Sequence, residues 1–346
     1  MSSRLEREIA EQPEVAARLL DRLLPRVDRL RAYLASRGAE QVLLVARGSS
    51  DNAARYAQYL WQTRPGVTVT LAAPSLTTVY ARPLDVRRQA VVAVSQSGRS
   101  PDVVAVVERA RAAGRPTLAV TNDPASPLAE AAEVVVDLAA GPERSVAATK
   151  TYTASVLALA VLSGAWAGPD PGAEQDLLRV PEALRAAVAD TSGVEDTARL
   201  MAGADRAVCV GRGLNLSTAH ETALKVTELT GSLVAPFSPA DLMHGPVAAV
   251  GPDVPALLVV PDEVASASVR DVAPELQRRG APLVLLGGPG LPGAQTVGLP
   301  PEAELPGWLT PLTAVVLGQL LAWRTAVRRG VEVDRPGDLS KVTLTR

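Results

Sequence analysis

The chain alternates between two hydrophobic patterns. Short runs of nearly continuous apolar residues recur at 41–46, 68–71, 90–94, 117–121 and 134–138, and again at 207–211, 255–260 and 281–287. Runs of this length, bounded by Gly, Pro or Ser, predict strands buried on both faces. Between them the period lengthens. Residues 5–36 show helical periodicity, with Leu19, Leu20, Leu23 and Leu24 on one stripe. Helices are also expected from Gly48 to about Leu60, over 101–113 with Ser100 as N-cap and Pro101 at the first position, over 152–164, along 174–202 and over 271–279. The most apolar stretches, 152–167 and 309–323, are too short for a comfortable membrane span and predict buried helices.

The second half repeats the first. Residues 207–211 resemble 42–46, and Gly213 falls where Gly48 did; 255–260 match 90–94, and a helix ending at Gly280 leads into the next strand as 109–114 leads into 117–120. Strands alternating with helices imply parallel sheets covered on both faces. The expected fold is α/β, with two doubly wound parallel-sheet domains of similar plan, an N-terminal helix and a C-terminal tail. The expected boundaries are 1–40 for the helical segment, 41–168 for the first domain and 169–200 for a linker and helix opened by Gly168-Pro-Asp-Pro-Gly172. The second domain follows at 201–330 and the tail at 331–346. In open sheets of this kind ligands bind beyond the C-terminal ends of the strands.

Composition narrows the function. A net charge of −2 without a basic block argues against a nucleic-acid surface. The single cysteine, Cys209, rules out an intrachain disulfide and a Cys-built zinc site. The N-terminus carries acidic residues and no apolar run, so no signal peptide is expected, nor a membrane span; the expected location is cytoplasmic. No His/Asp/Glu group has ligand spacing, so no metal is expected, and no cofactor. Of 35 Lys+Arg only Lys150, Lys225 and Lys341 are lysine, and the only histidines are His220 and His244. A GC-rich genome explains why Lys is scarce but not where it survives, and an amine is chemically tunable where a guanidinium is not.

Two loops after first-half strands are rich in Ser and Gly: Gly48-Ser49-Ser50 and Ser95-Gln96-Ser97-Gly98-Arg99-Ser100. Each precedes a helix, whose first N–H groups suit a phosphate, although ordinary turn and cap residues read the same way. Neither a Walker pattern nor a G-x-G-x-x-G is present. Glu221, Lys225 and Glu228 are spaced to share a helix face. An exposed ion-pair ladder has the same spacing, but Ala223, Leu224, Val226 and Leu229 point to burial. Glu228 lies near the helix C-terminus, where the dipole disfavours a carboxylate and suits a proton shuttle. His244 sits in a turn before Gly245-Pro246. Lys341 lies in a tail whose Val333, Leu339, Val342 and Leu344 predict docking. Lys150 is expected only to make a contact at a helix start, and His220 to be structural.

From Ser95-Gln96-Ser97-Gly98 onward the sequence resembles the sugar isomerase (SIS) domain family. Val146-Ala147-Ala148-Thr149-Lys150, Glu221-x-x-x-Lys225-x-x-Glu228, His244-Gly245-Pro246 and Leu339-Ser340-Lys341 follow in the order seen in the isomerase half of glutamine:fructose-6-phosphate amidotransferase. The resemblance covers roughly residues 40–346. It implies that Ser49, Ser50, Ser95, Gln96, Ser97 and Ser100 bind sugar and phosphate, and that Val146 and Ala148 line the sugar. It implies Glu228 as the C1/C2 proton shuttle and His244 as the ring-opening residue, reaching across a homodimer interface. Lys341 would be the lysine able to form a Schiff base and Lys225 an assisting amine. The chain departs from the amidotransferase in beginning Met1-Ser2 without the glutaminase Cys, so it is not expected to make ammonia from glutamine. Ala148 replaces a Ser and Met243 a Lys. The Gly-Arg-Ser-Pro-Asp continuation after Ser97 and Arg144-Ser145-Val146 look closer to SIS-type glucosamine-6-phosphate deaminases.

The expected reaction is therefore conversion of glucosamine 6-phosphate to fructose 6-phosphate and ammonia, without a cofactor. A fructosamine-6-phosphate deglycase, an aldose–ketose phosphosugar isomerase, an isomerase subunit fed by a separate glutaminase, and a non-catalytic sugar-phosphate sensor are the alternatives.

Overall fold

The computed structural model describes residues 2–82, 85–337 and 339–341. The chain divides into two compact units. The N-terminal unit comprises residues 14–143 and 150–178; the C-terminal unit comprises residues 2–13, 144–149 and 179–341.

The N-terminal unit is built on strands β1 (Gln41–Ala46), β2 (Thr68–Leu71), β3 (Gln89–Val94), β4 (Thr117–Thr121) and β5 (Val134–Asp137), in the order β2-β1-β3-β4-β5. Every pairing is parallel. The strands β1, β3 and β4 are almost wholly buried, which is why they read as unbroken apolar runs. One face is covered by the helix Ser49–Thr63 packed on the helix Lys150–Ser163, every residue of which is buried. Trp61 fixes that contact: its indole N–H donates to the carbonyl of Leu159 at 2.9 Å, and its ring stacks on Trp166 at 4.8 Å. Across the sheet, Val103, Val106, Val107 and Ala110 of the helix Pro101–Ala112 fill a core with Val45, Val91 and Ala93.

The C-terminal unit repeats this plan with β6 (Arg206–Val210), β7 (Leu233–Phe237), β8 (Ala256–Val259), β9 (Leu283–Leu286) and β10 (Ala294–Val297), ordered β10-β9-β8-β6-β7 and parallel throughout. Read from the other edge this is the same winding, so the expectation of two doubly wound domains of similar plan is borne out. The helix Leu216–Thr230 packs on the long helix Thr310–Arg328. Gly318 lets the two approach: a Cβ there would lie 2.2 Å from the hydroxyl oxygen of Thr222. Arg329 closes the helix ends, its guanidinium donating to the carbonyls of Ala202, Thr230 and Ala204 at 3.1, 3.2 and 2.6 Å.

The structure departs from the predicted elements in five places. The helix expected over 5–36 is three helices, Arg4–Ala10, Gln12–Leu23 and Val27–Ser36, with a 3-10 turn at Leu24–Arg26 where Pro25 cannot donate. The stretch 174–202 likewise breaks before Pro181 and at Gly193, and the helix expected over 271–279 is replaced by Ser266–Arg270 and Ala273–Arg278. Strands β7 and β10 carry no strand signal in the pattern. Both are edge strands; β7 is apolar but contains Pro236, which argues against a strand, and β10 places half-exposed Ala294 and Thr296 beside exposed Gln295, so it shows no apolar run.

Candidate functional site

In the N-terminal unit the strand order reverses between β1 and β3, which are neighbours in register, Ala46 opposite Val94. The chain from β1 turns to one side and the chain from β3 to the other, opening the crevice in which such sheets hold ligands. Both Ser-rich loops emerge here. Ser49 and Ser50 open the helix Ser49–Thr63 and are half-buried; Gly48 at its N-cap supplies no side chain. Ser95 is buried, Gln96, Ser97 and Ser100 are half-buried, and Ser100 caps the helix Pro101–Ala112 without a side-chain hydrogen bond. Two helix starts thus face one crevice.

The second loop is held by its own hydroxyls. Ser95 Oγ accepts from the N–H of Gly98 at 3.2 Å, and Ser97 Oγ from that of Arg99 at 3.3 Å. Gly98 has φ +62°, the left-handed region, and its carbonyl accepts from the N–H of Leu128 at 3.1 Å. A Cβ at Gly98 would lie 2.0 Å from Ser126 Oγ, so the turn is shaped for glycine twice over.

Two residues absent from the sequence-based expectations tie the loops together. Arg47, after β1, donates from Nε to the Asp102 carboxylate in the first turn of the helix after β3, at 2.7 Å. Asp102 is 1% exposed, whereas half of the Arg47 side chain reaches solvent. Asp102 also accepts from the N–H of Val103 at 2.9 Å. The sequence signal was present: Arg47 adjoins Gly48, and Asp102 follows Pro101. An acidic residue in a first turn, however, is ordinarily read as a response to the helix dipole.

In the C-terminal unit the helix Leu216–Thr230 carries Glu221, Lys225 and Glu228, and ends at Gly231 with φ +75°. Glu221 and Lys225 are 0% and 1% exposed, so the exposed-ladder alternative fails. The Lys225 ammonium donates to the carboxylate of half-buried Glu228 and lies 3.5 Å from that of Glu221. His220 is half-buried on the same helix.

His244 follows the short helix Pro239–Met243 and is exposed. With Arg212, Pro239, Ala240, Met243, Ser268 and Val272 it lines a shallow hollow of about 300 Å³, of which Glu228 is not part. Val146 and Ala148 are half-buried in the segment 144–149, which has neither helix nor strand. Lys341 is half-buried in a bend after the last helix. Of the apolar tail residues, Val333 is buried and Leu339 is 51% exposed; Val342 and Leu344 lie outside the described residues.

The remaining candidate groups are structural. Lys150 is 2% exposed and donates from Nζ to the carbonyl of Pro142 at 2.9 Å, the expected helix-start contact. Beside it Glu143 caps the same helix, accepting from the Thr151 N–H and hydroxyl at 3.0 and 2.6 Å. Burial pushes the Cys209 thiol well above its ordinary range, which keeps it protonated and unreactive. Among the described residues no helix is long and apolar enough to cross a membrane, and no three His, Cys, Asp or Glu side chains cluster as a metal site would require.

The two halves differ at the point where they should correspond. In the second sheet the order reverses between β6 and β8. There Glu263 brings its own carboxylate beside Gly213, the counterpart of Gly48: a Cβ on Gly213 would lie 3.5 Å from it. Glu263 accepts from the N–H of Ala265 at 3.0 Å, and burial raises its pKa above the usual carboxylate range. Beside Gly213 the second half thus carries a carboxylate with no Arg partner among the described ion pairs, whereas the carboxylate of the first site, Asp102, is paired with Arg47.

Duplicated doubly wound domains, one of them with an anion-suited crevice of serine turns, define the class of protein. The chain belongs to the SIS domain family, whose sequence profile matches residues 37–163 and 200–288, so the resemblance read from the sequence is borne out. It is 33% identical over 349 residues to a glutamine–fructose-6-phosphate aminotransferase (isomerizing) of Aeropyrum pernix, covering 97% of this chain and 56% of that one. The chain thus spans little more than half the length of such relatives. A solved structure from Silicibacter pomeroyi DSS-3, provisionally named a phosphosugar isomerase, matches with a TM-score of 0.87 at 34% identity, over 96% of this chain and 99% of that one. A glucosamine-6-phosphate deaminase of Thermotoga maritima shares the fold, with a TM-score of 0.77 at 20% identity, over 99% of this chain and all of that one.

Proposed function

We propose that the chain is a phosphosugar enzyme that converts glucosamine 6-phosphate and water to fructose 6-phosphate and ammonia. The observation that carries the reading is the Glu228 carboxylate held by the buried Lys225 ammonium. A base that must take a proton from carbon and return it one carbon away has to be fixed and partly accessible, and Glu228 is both: the Lys225 ammonium holds it and a quarter of its side chain is exposed.

In this reading the phosphate binds on Ser49, Ser50, Ser95, Gln96, Ser97 and Ser100, and the sugar lies against Val146 and Ala148. His244, which is exposed, assists ring opening from a neighbouring copy in a cytoplasmic homodimer. Glu228 removes the C2 proton of the open-chain aminoaldehyde, giving an enolamine, and delivers it to C1. This leaves a ketimine at C2 and a hydroxymethyl group at C1. Water adds to the ketimine and ammonia departs, leaving the ketone. Oxidation at C2 balances reduction at C1, so the step calls for no external electron carrier. Lys225 and Lys341 stabilise the charge that develops at the carbonyl end.

The deaminase direction is supported by the segments 97–102 and 144–150, and the sugar by the names of the relatives. The test is ammonia release from glucosamine 6-phosphate by pure protein, with a panel of fructosamine 6-phosphates and ketose 6-phosphates alongside. Stoichiometric ammonia and fructose 6-phosphate support the reading. Free amine from fructosamine 6-phosphates, or aldose–ketose interconversion alone, transfers the assignment to the corresponding alternative.

A further inference from the structure

We propose that Glu8, on the N-terminal helix Arg4–Ala10, is a positioning residue for the sugar end of the site, acting through the segment 144–149. The inference rests on the function proposed above, which gives Val146 and Ala148 of that segment to the sugar.

Glu8 is only 5% exposed, and a carboxylate is costly to bury unless its lone pairs are filled. They are filled from one place. The N–H of Arg144 donates to one oxygen and the N–H of Ser145, at 3.1 Å, to the other, which the Ser145 hydroxyl also contacts. The far end of the segment is gripped independently. Gln319 of the long helix Thr310–Arg328 donates from Nε2 to the carbonyl of Thr149 at 3.4 Å. Its own Oε1 accepts from Nε2 of Gln12 at 2.9 Å, and both amides are 1% exposed.

The segment has no regular backbone pairing of its own, so these two grips replace it. Between them Ala147 is fully buried, while Val146 and Ala148 stay half-buried. A substrate-lining loop is useful only if its backbone is held to within a fraction of an ångström, and here the N-terminal helix supplies the hold. Ionised Glu accepts without donating, and three donors converge on it. Glutamine has the same shape but would turn an NH₂ towards donors, so the isosteric change tests the grip itself.

The experiment uses the full chain carrying Glu8→Gln, with Glu8→Asp as the conservative variant and Ser145→Ala as a milder lesion if Glu8→Gln fails to fold. The measurements are KM and kcat for glucosamine 6-phosphate, and the inhibition constant of inorganic phosphate, which reports on the serine turns alone. Glu8→Gln is expected to raise KM about tenfold with kcat within about threefold, to leave phosphate inhibition within about twofold, and to be partly rescued by Glu8→Asp. Wild-type turnover with an unmoved KM in Glu8→Gln, or an equal loss of phosphate inhibition, overturns this inference alone. Absence of wild-type turnover on the whole sugar-phosphate panel overturns the proposed function, and this inference with it.

Discussion

The ammonium of Lys225 lies 3.5 Å from the carboxylate of Glu221, and neither side chain reaches water. The second carboxylate it meets, on Glu228, is a quarter exposed. One buried lysine therefore neutralises a structural acid on one side and steadies the proposed proton carrier on the other. Lys225→Met removes the buried cation that both Glu221 and Glu228 face and is expected to cost about 3–5 kcal/mol. The double variant Glu221→Gln/Lys225→Met should recover most of that loss, as measured by urea unfolding, while remaining catalytically impaired.

Glu228→Gln keeps the shape and removes the base. Turnover of glucosamine 6-phosphate should fall at least about a hundredfold while calorimetric binding of the sugar phosphate changes little. A wild-type protein that binds but never turns over, and a variant that binds identically, would instead favour a sensor.

At the serine turns, Gly98→Ala meets both the left-handed backbone and the Ser126 hydroxyl. The expected loss is roughly 1–3 kcal/mol of stability together with weaker inhibition by inorganic phosphate. The two readouts come from chemical denaturation and a phosphate titration.

Arg47→Met removes the guanidinium that joins the loop after β1 to buried Asp102, at a helix start where an anion is to bind. Inorganic phosphate affinity should fall about tenfold. Because the clasp works as a pair, Arg47→Met/Asp102→Asn should be no worse than the single variant; additive losses in a double-mutant cycle would show that the two residues act separately.

Glu263 yields a pH dependence of definite sign. Its folded pKa is raised, chiefly by burial and against the opposing hydrogen bond from Ala265, so the folded chain holds this proton more tightly than the unfolded chain. Its contribution is therefore most favourable at low pH and is lost as pH rises from the ordinary carboxylate value through the raised one. Glu263→Gln keeps an acceptor for Ala265 and should flatten that part of the stability curve above the ordinary carboxylate value, as followed by the urea midpoint.

How much the chain discloses before folding depends on how local each signal is. Strands β1, β3, β4, β8 and β9 were legible because strands buried on both faces must be apolar throughout. The edge strands β7 and β10 were not: Pro236 inside β7 speaks against a strand, and β10 is too polar to show an apolar run. The serine turns were legible because a loop after a strand and before a helix is a contiguous pattern. Lys225 stood out because lysine is rare in this chain, and its spacing to Glu221 and Glu228 placed all three on one face. That the face is buried was only suggested by the flanking Ala and Leu.

The sequence by itself determined the repeated α/β winding, the two serine turns at strand ends, and the Glu-Lys-Glu face of one helix, because each is written within a few consecutive turns of chain. Only the tertiary structure decided that Arg47 clasps Asp102, 55 residues on, that Glu8 holds Ser145, 137 residues on, and that Glu263 lies beside Gly213. Those contacts join residues with no fixed spacing. A hydrogen bond between distant segments depends on how strands are ordered and helices packed, and no local pattern encodes that order.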